Sequence, residues 1–297
     1  MIVVLGSLNV DLVARVPRLP APGETLIASG FETLPGGKGA NQALAARRAG
    51  AEVRLFGCVG RDALAPIALS LLSGAGVDCS GVAAVEASTG VALIEVAADG
   101  ENTIAVASGA NARTTAGQVP DGLLAAGTTV MLQLEIPLAE ASALARRAAV
   151  RGARVVLNAA PAARLPADLL ADVDVLVVNE SEADALAREH GVDGLVSLCN
   201  AFAQAERTLV VTRGADGVLY TAQGETCARK APVVHAIDTV GAGDAFAGAL
   251  AAALDRGADL DRAISEGLAA GALACTRSGA QPAMPARDEI RALADTL

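Results

Sequence analysis

Tryptophan is absent from this 297-residue chain, and one tyrosine and four phenylalanines bring the aromatic fraction to only 2%. Platforms that stack the bases of single-stranded nucleic acid are built from such rings, so that class of partner is disfavoured. Positive charge is scarce as well. The 23 Lys and Arg residues stand against 33 Asp and Glu, a net charge of −10 with no basic run, which argues against nucleic acid or an anionic membrane as the main partner. Any phosphate the protein binds must then be met by a few local groups. The five cysteines (Cys58, Cys79, Cys199, Cys227, Cys275) are an odd number without a C-x-x-C pair, which opposes a disulfide framework and a zinc site alike. The two histidines, His190 and His235, stand in no triad or ligand spacing and read as structural. Although 53% of the chain is hydrophobic, uncharged stretches such as Ala63 to Val77 are too short to span a bilayer. Met1 runs straight into Ile-Val-Val-Leu without a basic n-region or a cleavage-like site, so the start is expected to be a strand and the protein to stay in the cytoplasm.

What the chain does contain is alternation. Short apolar runs at Val3 to Leu5, Val53 to Phe56, Val130 to Leu134, Arg154 to Leu157, Val175 to Val178 and Leu209 to Val211 read as strands buried on both faces. Between them lie Ala/Leu/Arg segments of helical period, among them Ala40 to Ala49 and Leu138 to Arg151, each stopped by a glycine. The pattern predicts an α/β fold, a parallel sheet covered by helices. Two segments interrupt it. Residues 10 to 35 read as β-like stretches at Leu12 to Val16 and Thr25 to Phe31 around Pro17, Pro20 and Pro22. Residues 89 to 108 read as a hairpin, Gly90 to Ala97 and Asn102 to Ala107, turning at Asp99-Gly100. Together they are expected to form a small accessory sheet, with residues 1–9, 36–88 and 109–297 as the main domain.

Gly241-Ala242-Gly243-Asp244 opens an Ala-rich helical segment, Ala245 to Leu254. Free N–H groups of a glycine-rich turn at a helix start suit a phosphoryl group gathering negative charge. An ionised aspartate beside that cradle would repel a resting phosphate. It makes sense as a base accepting the proton of a hydroxyl that attacks the phosphorus, though a helix-capping aspartate would give the same local pattern. Pro35-Gly-Gly-Lys-Gly-Ala-Asn-Gln42 is no P-loop, since Glu32 and Gly39 stand where Walker A needs Gly and Ser or Thr. Nor is there a dinucleotide fingerprint, because Phe246 replaces the last glycine of the pattern beginning at Gly241. The cluster offers one ammonium and one amide, a set able to bind several hydroxyls of a polyol, or else a plain exposed turn. Asn9, Asp11 and Glu135 fall at strand ends, where open α/β sheets place ligands. Asn179-Glu-Ser-Glu182 and Thr212-Arg-Gly-Ala-Asp-Gly217 do so in the second half, suited to a nucleotide and its magnesium.

These motifs together resemble the PfkB family of carbohydrate kinases over nearly the whole chain. The resemblance is carried by Gly6-Ser-Leu-Asn-Val-Asp11, Gly36-Gly-Lys-Gly-Ala-Asn-Gln-Ala43, Thr89-Gly-Val-Ala-Leu-Ile94, Gly100-Glu-Asn102, Gly109-Ala-Asn111, Gln133-Leu-Glu135, Asn179-Glu-Ser-Glu182, Asp238 to Phe246 and Gly279-Ala-Gln-Pro282, in order. It implies a ribokinase-like, doubly wound, mainly parallel sheet flanked by helices, with residues 10–35 and 89–108 as a β lid that often pairs with a second subunit's lid in a homodimer. It further implies transfer of the ATP γ-phosphoryl group to the 5-hydroxyl of D-ribose, or in a related kinase to fructose, a deoxysugar or a nucleoside. By the same resemblance Asn9, Asp11, Gly37, Lys38, Asn41 and Glu135 hold the sugar, Asp244 is the base, and Ala242 and Gly243 form the anion hole. Asn179, Thr212, Arg213, Gly214, Ala215, Asp216 and Gly217 line the ATP site, with Glu182 organising Mg²⁺. A monovalent cation, K⁺, is implied around Asp238, Val240, Ala274, Arg277, Gly279 and Ala283. Ala283 stands where such kinases often carry Ser and so offers only its carbonyl, and Leu268 stands near the adenine region. A non-catalytic sugar- or nucleotide-binding regulator is the alternative of a different class, and Asp244 is the residue it has no use for.

Overall fold

The computed structural model describes residues 1–99 and 101–297; Gly100, half of the expected Asp99-Gly100 turn, lies outside the described residues. Strands β1 (Ile2–Leu5), β2 (Asn9–Val16) and β3 (Gly30–Gly36) lead into helix α1 (Lys38–Arg48). Then come β4 (Val53–Gly60), α2 (Ala65–Gly74), β5 (Asp78–Val85) and the pair β6 (Gly90–Ala97) and β7 (Asn102–Ala107). After three short 3₁₀ turns the chain alternates through β8 (Thr129–Leu132), α3 (Leu138–Val150), β9 (Arg154–Asn158), α4 (Ala167–Ala171) and β10 (Val175–Asn179). It continues through α5 (Glu180–Glu189), α6 (Gly194–Gln204), β11 (Thr208–Thr212), β12 (Val218–Ala222) and β13 (Glu225–Arg229), and ends on α7 (Ala242–Asp255), α8 (Leu260–Ala274) and α9 (Arg287–Ala294).

Nine strands form the main sheet in the order β13-β12-β11-β10-β9-β8-β1-β4-β5. From β11 to β5 all neighbours are parallel, and β12 and β13 add an antiparallel hairpin at one edge. This is the mainly parallel α/β sheet expected. Successive side chains of a strand point to opposite faces. Ile2 and Val4 of β1 therefore pack with α1, α7 and α8, while Val3 and Leu5 pack with α3, α5 and α6. Covering both faces explains why the central strands are apolar without interruption. From β1 the chain moves to β4 on one side and later returns to lay β8 on the other. The carboxyl ends of β1 and β8 thus border the crevice where such sheets bind ligands.

The second sheet has the order β3-β2-β6-β7. The hairpin strands have the bounds the sequence predicted, but the stretch expected at Thr25 to Phe31 is displaced to Gly30–Gly36. Pairing begins where Ser29 N–H donates to Arg15 O at 2.8 Å, so residues 17–28 form a loop despite the β-favouring Thr25-Leu26-Ile27. One face of this sheet, with Asp11, Val13, Leu34 and Ile94, roofs a cavity over the main domain.

Scarce aromatics are balanced by small residues that let helices approach closely, above all α1 against α7. At Gly248 a Cβ would lie 2.5 Å from Ala45 Cβ and 2.8 Å from Gln42 O, distances no packed structure sustains. Gly248→Val must push α7 off α1, an overpacking change that costs about 1–3 kcal/mol. A lowered urea unfolding midpoint at an unchanged slope is the expected result, and an unchanged midpoint would show that the contact is slack.

Candidate active site

Asp244 lies in the first turn of α7, only 7% exposed. Its carboxylate is held by amides: Asn41 Nδ2 donates to Oδ2 at 2.9 Å and Gln42 Nε2 donates to Oδ1 at 2.9 Å. Both donors come from α1, so the tight α1–α7 contact is what brings them in. Gly241 precedes the helix in the left-handed conformation, at φ 78°, and no side chain caps α7. Ala242 N–H donates to Thr239 O at 3.2 Å, so of the two expected anion-hole residues Gly243 offers the less committed amide.

The groups expected to hold a sugar gather beside this carboxylate. Glu135, just past β8, accepts from Ser7 Oγ at 2.6 Å, from Lys38 N–H at 3.1 Å and from Asn9 Nδ2 at 3.4 Å. Asn9 in turn accepts from Asn111 Nδ2 at 2.7 Å, and Asn111 also clamps both backbone groups of Leu8. Gly37, at φ 90°, starts α1 with its Cα against the backbone of Leu8 and Asn9. A side chain at Gly36 would run into the Asp11 carboxylate. Burial, and then the neighbouring charges of Glu135 and Asp244, push the Asp11 carboxyl up to about 7 against the opposing pull of Lys38. Burial works against the Lys38 ammonium, but Asp244, Glu135, Glu182 and Asp11 more than offset it and raise its pKa. One ammonium thus sits among four carboxyl groups.

Three cavities meet here. A polar one of about 220 Å³ is lined by Lys38, Asn158, Asn179, Glu182, Thr212, Gly241, Gly243 and Asp244. Through Thr212 and Gly243 it shares walls with an apolar cavity of about 450 Å³ that includes Gly214, Ala215, Gly217, Val233, Phe246, Leu268 and Cys275. Ala236 and Thr239 join the apolar cavity to a third, of about 530 Å³, beneath the small sheet at Asp11. Arg213 and Asp216, expected at the nucleotide, line none of the three; Arg213 lies 3.4 Å from Glu180 and 3.8 Å from Asp216. Asn179 and Glu182 form the capping box of α5, so the Asn179 side-chain oxygen is already engaged. Burial raises the Glu182 carboxyl above its usual range.

Among the described residues no three His, Cys, Asp or Glu side chains gather as metal ligands. Mg²⁺ commonly keeps several waters and uses one or two carboxylates with substrate phosphates, and Glu182 and Asp244 in the polar cavity fit that habit. Of the six residues expected around K⁺, Asp238, Val240 and Gly279 line one cavity, and Asp238 ties the two loops together by accepting from Val240 N–H at 3.0 Å and Gly279 N–H at 2.8 Å. Ala274 and Ala283 are buried, and Arg277 pairs with Glu289.

Ser7, Gln42, Asn111, Gln133 and Asn158 received no role from the sequence, yet all are hydrogen-bonded into this centre. Four of them sit inside motifs quoted for the resemblance; only Asn158 is marked by nothing but its place at the end of a strand. The segment 231–236, which walls the nucleotide-sized cavity, carries no signal at all.

The profile of pfkB family carbohydrate kinases matches residues 1–287. Ribokinase of Haemophilus influenzae is 38% identical over 292 residues, which cover 96% of this chain and 95% of that protein. The ribokinase structure from Thermotoga maritima superposes with a TM-score of 0.91 at 33% identity, covering 99% of each chain. That of Arabidopsis thaliana ribokinase complexed with ribose and ATP gives a TM-score of 0.87 at 31% identity, covering 99% of this chain and 98% of the other. With its motifs, topology and site in agreement across nearly the whole length, the chain belongs to the PfkB family of carbohydrate kinases.

Proposed function

We propose that this protein transfers the γ-phosphoryl group of ATP to the 5-hydroxyl of D-ribose, giving D-ribose 5-phosphate and ADP. The observation that carries the reading is Asp244, a buried carboxylate at an uncapped helix start beside Lys38. Next to it, Asn41 Oδ1 is buried without a partner, and an orphaned acceptor of this kind costs about 1–3 kcal/mol unless something donates to it. A sugar hydroxyl is such a donor. The relatives named ribokinase, one of them complexed with ribose and ATP, support the choice of substrates.

The sugar would span from Asp11 to Asp244, with Asn9, Gly37, Lys38, Asn41 and Glu135 along its edge. Asp244 takes the proton of the 5-hydroxyl as its oxygen bonds to the γ-phosphorus and the bond to the β-phosphate oxygen breaks. The N-terminal amides of α7, Gly243 foremost, face the charge that spreads over the transferred group. Adenosine suits the apolar cavity at Phe246 and Leu268, and the Thr212 to Gly217 turn its border. Glu182 and Asp244 would face Mg²⁺, which supplies neutralisation of phosphate charge when bound. Asp238, Val240 and Gly279 are the best-gathered residues for K⁺. The β2-β3-β6-β7 sheet serves as a lid over the sugar, on residues 10–35 and 89–108. Every residue of its edge strand β7 is exposed, as are Phe31 and Leu93, which suits a homodimer formed through the lids. The five cysteines are all free, consistent with the cytoplasm, and among the described residues no helix is long and apolar enough to cross a membrane.

Asp244→Asn is expected to cut kcat by about 10²- to 10⁴-fold while ATP binding, read by calorimetry, stays near that of the parent. Parental turnover in that variant removes the base. Asp11 provides a second test through its carboxyl near 7. Because only the ionised form accepts from hydroxyls at both oxygens, kcat/KM for ribose should rise as pH increases through about 7, and Asp11→Asn should flatten that limb. The sign for stability is opposite. A carboxyl pKa raised above its unfolded value favours the folded state at low pH, and this contribution fades between the ordinary value of 3.8 and about 7. Sedimentation of Ile104→Asp should show monomers where the parent sediments as a dimer; a monomeric parent at micromolar concentration rejects the lid interface.

A further inference from the structure

A buried chain of side-chain amides stands behind the base. Gln42 is fully buried, and its Nε2 donates to Asp244 Oδ1 and to Asn158 Oδ1, each at 2.9 Å. Its Oε1 accepts from Gln133 Nε2 at 2.7 Å, and Gln133 is fully buried too. Asn158 is anchored by donating from Nδ2 to Val177 O at 3.2 Å. Partners from β9 (Asn158), from the residue after β8 (Gln133) and from α7 (Asp244) thus converge on a single glutamine of α1, and β10 holds Asn158 through its backbone.

The polarity of this chain follows from the base. An ionised carboxylate accepts only, so Gln42 must turn its nitrogen to Asp244. Its oxygen is then left to Gln133, whose nitrogen must face it in turn. Gln133 Oε1 remains without a partner, a cost accepted to keep the direction of the chain. Asn41 holds the other oxygen, Oδ2, on the side where its own Oδ1 waits for a donor. With one amide on each oxygen, the carboxylate is not free to rotate.

We infer that Gln42, backed by Gln133, is a positioning residue for phosphoryl transfer: it fixes the rotation of Asp244 so that Oδ2 faces the sugar hydroxyl. The inference rests on Asp244 being the base. Gln42 is fully buried and all its side-chain bonds go to Asp244, Asn158 and Gln133, so it acts through Asp244 and not on a substrate.

The experiment compares Gln42→Met, Gln133→Met, their combination and Asp244→Asn in the full-length protein, with ribose and ATP. Gln42→Met keeps the length and much of the volume of the side chain while deleting all three hydrogen bonds. Its kcat should fall roughly 10- to 100-fold, the loss typical of a misplaced catalytic group, with both KM values within about threefold of the parent. A loss confined to kcat is a split that general loosening of the fold does not produce. Gln133→Met should show the same split to a smaller extent, and the double variant less than the product of the two single losses, because both act through one contact. If Gln42→Met fails to fold, the kcat loss in Gln133→Met decides. Parental kcat in folded variants, or kcat and KM changing together, overturns the positioning role while leaving the base intact. Parental turnover in Asp244→Asn instead overturns the base reading beneath it.

Discussion

The placement of Asp244 depends on how closely α7 can lie on α1. Burying a carboxylate costs several kcal/mol unless its oxygens are hydrogen-bonded, and here the bonds come from amides on a neighbouring helix. Hydrogen bonds to a charged group contribute about 1.5–3 kcal/mol each, so two of them go far to offset the burial. That geometry exists only because Gly248 and the alanines of both helices leave the backbones nearly touching. A larger residue at the contact would strand the carboxylate.

Charge is arranged with comparable economy. Among the described residues, Lys38 is the only ammonium drawn into a cluster that holds Asp11, Glu135, Glu182 and Asp244. Before substrates bind, the surplus of carboxyl groups is relieved in two ways: Glu135 is covered by donors from Ser7, Asn9 and Lys38 N–H, and Asp11 moves toward its neutral form. The polar cavity itself therefore carries a single ammonium, Lys38, beside the N-terminal amides of α7. An acidic protein with no basic patch can handle phosphate in this way only at one point, as its composition implied.

Legibility in the sequence followed the range of the interactions involved. The apolar central strands and the hairpin at Gly90 and Asn102 could be read because period and turn chemistry are local. Asp244 was legible as a contradiction, a carboxylate set beside an anion cradle, which is a local anomaly too. The strand at Gly30–Gly36 was misplaced because Thr25-Leu26-Ile27 has the right propensity but nothing to pair with; Ile27 is almost fully exposed. Arg213 and Asp216 shared a glycine-rich turn with true cavity residues, and turn chemistry does not say which side chains point inward. The edge strands β5 and β13 are rich in polar or small residues and carried no strand signal of their own, while β12, Val-Leu-Tyr-Thr-Ala, has strand composition but is only five residues long.

The amides were the least legible of all, and the reason is physical. A glutamine on a helix or an asparagine closing a strand has four hydrogen-bonding positions and no charge, so its partner is determined wholly by what the fold brings near. Gln42 meets Asp244 across 202 residues and Asn158 across 116. Nothing local distinguishes it from a solvated glutamine. Once the neighbours are assembled, however, the acceptor-only carboxylate dictates the orientation of each amide in succession, from Asp244 to Gln42 to Gln133. Directionality that no single residue possesses is thus imposed from one charged group outward, and the precision of the site is a property of that sequence of contacts.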